Sequence, residues 1–376
     1  MRIAIEVSPQ LEGKRGIGLY VENLLRSLSA IDRENEYVVF TWFYRDYRAK
    51  LASLRIPEAP NFSTLAYRLP DSLVMATEWN LRIPVISALL KGRDIDVYHS
   101  PGPRLPYLSR CRTVVTIHDL ICEKFPAWVN TRFLDESRRA ARTADGLIAD
   151  SASTRNDLVE LYGIAPQKVD VIHLGVDVKT FRPVPRREAL AAAAAYRLPE
   201  KFILDVGPFE PRRNTETLLR AYALAKPDIA PHKLVLVGRP SAGLTELAAG
   251  LGIARDVTFI SGLSPEEMAA VYSLSSVFAH LSLYEGFGLS LLEAMACGSA
   301  PLISDVSSLP EIGGEACLKV EDPKNAEECA AALKRLVLDR ALADELGALG
   351  RARAGLFSWE DTARKTLECY RRALAA

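Results

Sequence analysis

Leu283-Tyr284-Glu285-Gly286-Phe287-Gly288-Leu289-Ser290-Leu291-Leu292-Glu293-Ala294-Met295-Ala296-Cys297-Gly298 follows a short apolar run, Val277 to His280. The run reads as a strand, the two glycines as a turn, and the residues beyond them as a helix that Gly298 closes. A strand feeding a helix in this way is one unit of a parallel α/β sheet. Outward from it the same alternation continues. Strands are expected near 2–7, 36–41, 95–99, 113–117, 146–150 and 169–173, then near 201–206, 233–238, 256–261, 276–280, 300–304 and 316–320. Each set predicts one doubly wound sheet covered by helices on both faces, and open sheets of this kind bind ligands at the C-terminal ends of their strands.

A chain of 376 residues is too long for one ordinary core, which agrees with two domains. The expected division is 1–180, a linker at 181–200, a second domain at 201–358 and a terminal helix at 359–376. Thr180 to Pro199 holds three prolines and an alanine-rich run but no strand pattern, with room for a short helix at Arg187 to Tyr196. In the last stretch Trp359, Thr362, Ala363, Thr366, Leu367, Tyr370 and Leu374 share one helical side. Packing on the second domain and a return to the first are both open.

Hydrophobic residues make up 49% and charged residues 25%, the balance of a globular protein. Lys plus Arg and Asp plus Glu are 47 each, and residues 1–180 carry 24 basic and 22 acidic, leaving 23 and 25 beyond. No nucleic-acid partner is expected from such a balance. The longest apolar candidate, Ile83 to Leu90, is too short to span a bilayer, and the start at Met1 lacks a leader pattern, so a cytoplasmic protein is expected. Cys111, Cys122, Cys297, Cys317, Cys329 and Cys369 form no CxxC pair, which argues against zinc and redox motifs. Asp94-Ile95-Asp96 precedes a strand and reads as boundary polar residues rather than a metal site. Thr41 to Arg68 carries five basic and two acidic residues among aromatics; a solvated face and an acceptor or membrane-surface patch are both open.

Four stretches carry candidate chemistry. Gly286 and Gly288 remove Cβ atoms where a ligand can approach, and the amides of a helix start suit a phosphate. Glu285 lies ahead of those amides and Glu293 about one and a half turns inside, so one can reach the sugar side of a diphosphate and the other a ribose. Asp205-Val206-Gly207-Pro208-Phe209-Glu210-Pro211-Arg212-Arg213-Asn214 ends a strand, turns at Gly207 and sets two arginines before a helix; a guanidinium fork matches phosphate oxygens. Solvent-exposed turns are the plain alternative for both. Gly13-Lys14-Arg15-Gly16-Ile17-Gly18-Leu19-Tyr20 fails as a dinucleotide fingerprint, because Val21 stands where a third glycine is needed. Thr116-Ile117-His118-Asp119-Leu120 ends a strand, where a histidine is either a local hydrogen-bonding residue or a cleft residue. Asp119 either orients it or caps the next turn.

These stretches resemble, in order and spacing, the motifs of family 4 retaining glycosyltransferases, and the resemblance runs from Ile3 to about Tyr370. Glu285 and Glu293 match the E-x7-E motif, whose first glutamate contacts the donor sugar and whose second holds the ribose. Residues 207–214 resemble G-x-x-x-P-R-K-N, with Arg213 in place of the lysine that neutralises the donor diphosphate and Pro208 where an arginine is common. Residues 15–20 resemble R-G-I-G-x-Y, which approaches donor phosphates and acceptor, and 116–119 resemble T-x-H-D, whose histidine binds the donor sugar. Ser307-Ser308-Leu309-Pro310-Glu311 is similar to a segment near the donor.

The resemblance implies the GT-B fold, two Rossmann-like domains facing across a cleft whose closure brings His118 and the Gly16 loop onto the donor. It implies retaining, metal-independent glycosyl transfer without a cofactor, with His118, Arg213 and Glu285 as catalytic residues. Gly16, Gly18, Gly207, Arg212, Arg213, Glu285, Gly286, Phe287, Gly288, Leu289 and Glu293 would bind the donor. Similarity to bacterial polysaccharide mannosyltransferases points to GDP-mannose, with UDP sugars open, and to a saccharide or lipid-linked acceptor met at the inner membrane face. Two other readings are a nucleotide-sugar 2-epimerase, which needs no acceptor, and a non-catalytic sugar-binding protein.

Overall fold

The computed structural model describes residues 1–12, 16–128 and 134–375. It divides into two compact units, Met1–Gly175 with Trp359–Ala376, and Val176–Ser358.

The first unit holds seven strands, β1 Arg2–Glu6, β2 Glu36–Trp42, β3 Phe62–Tyr67, β4 Val97–Ser100, β5 Arg112–Ile117, β6 Gly146–Ala149 and β7 Val169–Val171. They form one parallel sheet in the order β3-β2-β1-β4-β5-β6-β7. The second unit holds β8 Phe202–Val206, β9 Lys233–Val237, β10 Val257–Ile260, β11 Val277–His280, β12 Pro301–Ser304 and β13 Leu318–Val320, also all parallel, in the order β10-β9-β8-β11-β12-β13. Each order reverses direction once, between β1 and β4 and between β8 and β11. That reversal leaves a crevice at the C-terminal strand ends.

The central strands read as unbroken apolar runs because helices cover both their faces: Phe202, Ile203 and Leu204, and likewise Val277, Phe278 and Ala279, are buried throughout. β3 is absent from the expected strands for the opposite reason. It is an edge strand, paired only with β2, and Ser63 and Thr64 face solvent, so it lacks the continuous apolar run.

Residues 181–200 are not a free linker. The helix Arg186–Ala192 and the turn Ala194–Tyr196 belong to the second unit, where Tyr196 Oη donates to Glu267 Oε2 at 2.9 Å and the Val184 amide donates to Ser273 Oγ at 3.1 Å. Proline and alanine content describes the local backbone but not what it packs against. The terminal helix Trp359–Ala375 belongs to the first unit. Thr362 Oγ1 donates to the His173 carbonyl at 2.7 Å, and Tyr370 Oη lies 2.7 Å from His99 Nδ1 in the core. Leu374, counted on its apolar side, is partly exposed.

In the 41–68 segment, Arg45, Arg48, Arg55 and Arg68 are exposed; Arg55 pairs with Glu22 at 2.6 Å and Arg68 lies over the Tyr44 ring. Among the described residues, no helix is long and apolar enough to cross a membrane.

Candidate active site

In the second unit, β8 and β11 flank the reversal of strand order, and the loops after both deliver the charged residues. Gly207 ends β8 by donating its amide to the Val237 carbonyl at 2.9 Å, and a Cβ there would lie 3.0 Å from the Phe209 backbone. Gly207 therefore shapes the turn and offers no free amide. Pro211–Arg213 makes one 3-10 turn that aims both guanidiniums inward. Asn214 closes it at φ 56°, a left-handed conformation that asparagine tolerates, and its Nδ2 donates to the Leu281 and Pro323 carbonyls at 3.0 and 2.6 Å.

The loop after β11 meets this turn. Arg212 Nη1 donates to Glu285 Oε2 at 2.8 Å, and Arg213 Nη1 lies 3.1 Å from Glu285 Oε1. The side chains of Glu285, Arg213 and Arg212 are only 7%, 11% and 19% exposed, so these are desolvated ion pairs. Arg212 Nε also binds Glu210 Oε2, whereas buried Arg213 Nε has no partner among the described residues. Burial alone would raise the Glu285 carboxyl, but Arg213, the His280 contact and Arg212 together hold it well below the carboxylate range. Asp205, buried at the end of β8 and accepting from Thr215 Oγ1 at 3.1 Å, is instead pushed up to about 6 by burial, against the opposing pull of Arg213.

His280, the last residue of β11, completes the cluster. Its Nε2 lies 3.0 Å from Arg213 Nη1 and 3.3 Å from Glu285 Oε1, and its Nδ1 lies 3.3 Å from Ser290 Oγ. Arg213 Nη1 also lies 3.5 Å from Nδ1, so it stands over the ring face rather than on a lone pair, and the Glu285 carboxylate, which can only accept, puts the ring proton on Nε2. Burial and the neighbouring arginines keep this imidazole neutral, against the pull of Glu285.

The glycine turn fixes the rest. Gly288 sits at φ 104°, and a Cβ there would lie 3.0 Å from Leu309 Cδ2. It starts the helix Leu289–Ala296, which no side chain caps, so the first turn presents amides without intrahelical partners. Gly286 and Leu289 flank it half-buried, and Phe287 packs edge-on against Phe357. Ser307 Oγ accepts the Glu285 amide at 2.9 Å, while Ser308 Oγ donates to the carbonyls of Glu285 and Phe287 at 3.0 and 2.9 Å. The 307–311 segment thus clamps the loop, in addition to starting the helix Leu309–Gly313. Glu293 accepts from Tyr272 Oη at 3.0 Å.

The other expected residues lie in the first unit. Gly16 is exposed at φ 61°, with nothing near where a Cβ would stand, and precedes the helix Ile17–Ile31; Gly18 is buried within that helix. Residues 13–15 fall outside the described residues. His118, just past β5, has both ring nitrogens engaged: Nδ1 lies 2.6 Å from Asp150 Oδ2 and Nε2 lies 2.9 Å from the Pro101 carbonyl. Burial would lower its pKa, but the Asp150 carboxylate raises it, and Tyr20 packs edge-on at 4.9 Å. Asp119 accepts from the Ile121 amide at 3.1 Å, so it caps the following turn and Asp150 orients the histidine.

The sequence reading therefore missed His280, Asp205, Asp150, Ser282 and the clamping role of Ser307 and Ser308. The one available signal was His280, which ends a strand just before the glutamate loop, as His118 ends its own strand.

Two doubly wound α/β units, the second with arginines, a carboxylate and an uncapped helix start at its strand-order reversal, define an α/β protein with a candidate anion site. Residues 14–180 match the model of Glycosyltransferase Family 4 and residues 187–353 that of Glycosyl transferases group 1. The chain belongs to glycosyltransferase family 4 and has its GT-B fold. It is 36% identical over 241 residues to the D-inositol 3-phosphate glycosyltransferase of Rhodococcus erythropolis, a match covering 61% of this chain and 54% of that protein. The chain thus spans about half the length of that relative. It is 26% identical to the O-antigen chain mannosyltransferase B of Escherichia coli, over 99% of this chain and 100% of the relative. Among solved structures, sucrose-phosphate synthase from Thermosynechococcus elongatus shares the fold with a TM-score of 0.79 at 24% identity, covering 100% of this chain and 99% of that one. Anabaena HepE in complex with UDP and glucose gives 0.76 at 17%, covering 98% of each chain.

Proposed function

We propose that the protein transfers a hexosyl group, with retention and without a metal ion, from a nucleotide-diphosphate sugar to a saccharide or lipid-linked saccharide acceptor in surface polysaccharide synthesis. One observation carries the reading: two largely desolvated arginines converge with Glu285 beside the uncapped start of Leu289–Ala296. Cleavage at the anomeric carbon builds negative charge on the departing diphosphate, and donors fixed in advance stabilise that charge without reorganising water. Arg213 has donor capacity left for it, because its Nε is unused. This is the electrostatic work that a divalent cation does elsewhere.

Glu285, with Oε1 and Oε2 both acceptors, suits sugar hydroxyls, and Glu293 suits the ribose. His118 would bind the donor sugar. Mannose from GDP-mannose is favoured, on the motif resemblance and on relatives named as mannosyltransferases. The acceptor is expected at the cytoplasmic face of the membrane.

A thermal-shift series with GDP-mannose, GDP, UDP-glucose and UDP tests the donor, since a ligand that binds only the folded state raises its melting temperature. GDP-mannose is expected to shift it most, with EDTA leaving both shift and turnover intact. Loss of turnover in EDTA would remove metal independence. Free nucleotide and an altered sugar released without acceptor would instead identify an epimerase.

A further inference from the structure

Glu285 has two distinct sets of partners. One is cationic: Arg212 on Oε2 and Arg213 on Oε1. The other is neutral and confined to Oε1: Ser282 Oγ donates at 2.9 Å, and His280 Nε2 stands at 3.3 Å. A carboxylate bridging two guanidiniums does what a phosphate would do there, offering two anionic oxygens to two planar forks. Four more neighbours fix the geometry. Ser307 and Ser308 hold the Glu285 backbone, Glu210 shares Arg212, and Asp205 sits behind Arg213. Among the described residues, Glu210, Asp205 and Glu285 offset the charge of the two arginines.

We infer that the Glu285 carboxylate holds the place of a phosphate between Arg212 and Arg213, and that donor binding exchanges one anion for the other, with His280 the positioning residue that retains Glu285 afterwards. The inference rests on the reading of this pocket as a diphosphate site. When a diphosphate takes the arginine N–H groups, Oε2 loses Arg212, its one partner among the described residues, and turns to the sugar hydroxyls. Oε1 stays on Ser282. His280 Nε2–H also stays on Oε1, with Ser290 Oγ on Nδ1, so this edge of the carboxylate is retained while Arg213 turns to the diphosphate.

The internal anion thus competes with the donor, and removing its charge should help nucleotide binding while harming transfer. Titration calorimetry with GDP and with UDP on the wild type and on Glu285→Gln tests this. The glutamine variant is expected to bind the preferred nucleoside diphosphate about tenfold more tightly, with transfer reduced. Equal or weaker binding overturns the exchange. Ser282→Ala is expected to leave GDP affinity within about twofold while lowering kcat with the sugar donor, since P–O contacts do not pass through Ser282; parallel loss of both overturns the division of partners. On the wild type, the carbon-13 shift of the Glu285 carboxyl reports its guanidinium partners directly. A change on adding GDP supports the exchange, and an unchanged carboxyl overturns it even if the glutamine variant does not fold. A wild type that binds neither nucleotide ends the diphosphate reading itself, whereas binding without the gain in Glu285→Gln ends only the exchange.

Discussion

His118 and His280 both stand at the C-terminal ends of parallel strands in doubly wound sheets, yet their pKa values move in opposite directions. His118 meets a carboxylate on Nδ1 and a carbonyl on Nε2, two acceptors that require two ring protons, and its pKa is raised. His280 is buried deeper and has an arginine over its ring face, and its pKa is lowered. A third case, His99 in β4, takes in the first sheet the place that β11 takes in the second. It lies between Tyr370 Oη and Thr116 Oγ1 and is pushed down to about 3 by burial. The fold supplies the address, and the neighbours decide the chemistry. A histidine is sensitive to this because its unperturbed pKa lies near neutrality.

The contrast breaks most severely at Arg213. Arg213→Ala removes the cation that both His280 and Glu285 face; nucleotide release with donor and acceptor is expected to fall at least tenfold, toward ~10²–10³-fold. Glu285→Ala is expected to fall at least about tenfold as well. Normal rates in both variants, with unchanged circular dichroism, would remove the site.

Next comes Asp150→Asn, which deprives His118 of its carboxylate. Because the folded pKa of His118 lies above its ordinary 6.5, the stability it contributes is complete below 6.5 and is lost as pH rises through the folded value. The raised Asp150 acts in the same direction. Wild-type melting temperature should therefore drop with pH above 6.5, and the asparagine variant should lose that slope. A slope that persists would mean His118 is neutral, like His280.

A smaller effect is expected at Asp205, the acid on the His280 side. Its folded pKa of about 6 exceeds the ordinary 3.8, so its burial costs nothing below 3.8 and costs most above 6. Asp205→Asn should gain melting temperature relative to wild type between about pH 5 and pH 8, by roughly 2–4 °C. The smallest change is expected from Tyr370→Phe. It removes one buried hydrogen bond to His99, costs about 1 kcal/mol, and should leave transfer rates alone. A loss of activity there would make His99 more than a structural residue.

Much of this was legible in the residues. Twelve of the thirteen strands have expected counterparts because central parallel strands are apolar on both faces, a signal that survives in one dimension. β3 escaped it by lying at an edge, and 181–200 escaped because nothing local says what a proline-rich stretch will pack on. In the site, Arg212, Arg213 and Glu285 were nominated from motif spacing. Their meeting at 2.8 and 3.1 Å depends on β8 and β11 being neighbours, although 70 residues, 207–276, lie between the end of one and the start of the other.

The sequence by itself determined two parallel α/β units, the glycine turns and which side chains could hold a diphosphate, because periodicity, positive-φ turns and guanidinium forks are local properties. Only the tertiary structure decided that Asp150 and not Asp119 orients His118, that His280 stays neutral beside Glu285, and that the last helix belongs to the first unit. Protonation and packing depend on desolvation and on partners tens to hundreds of residues away, and neither is written in any window of the chain.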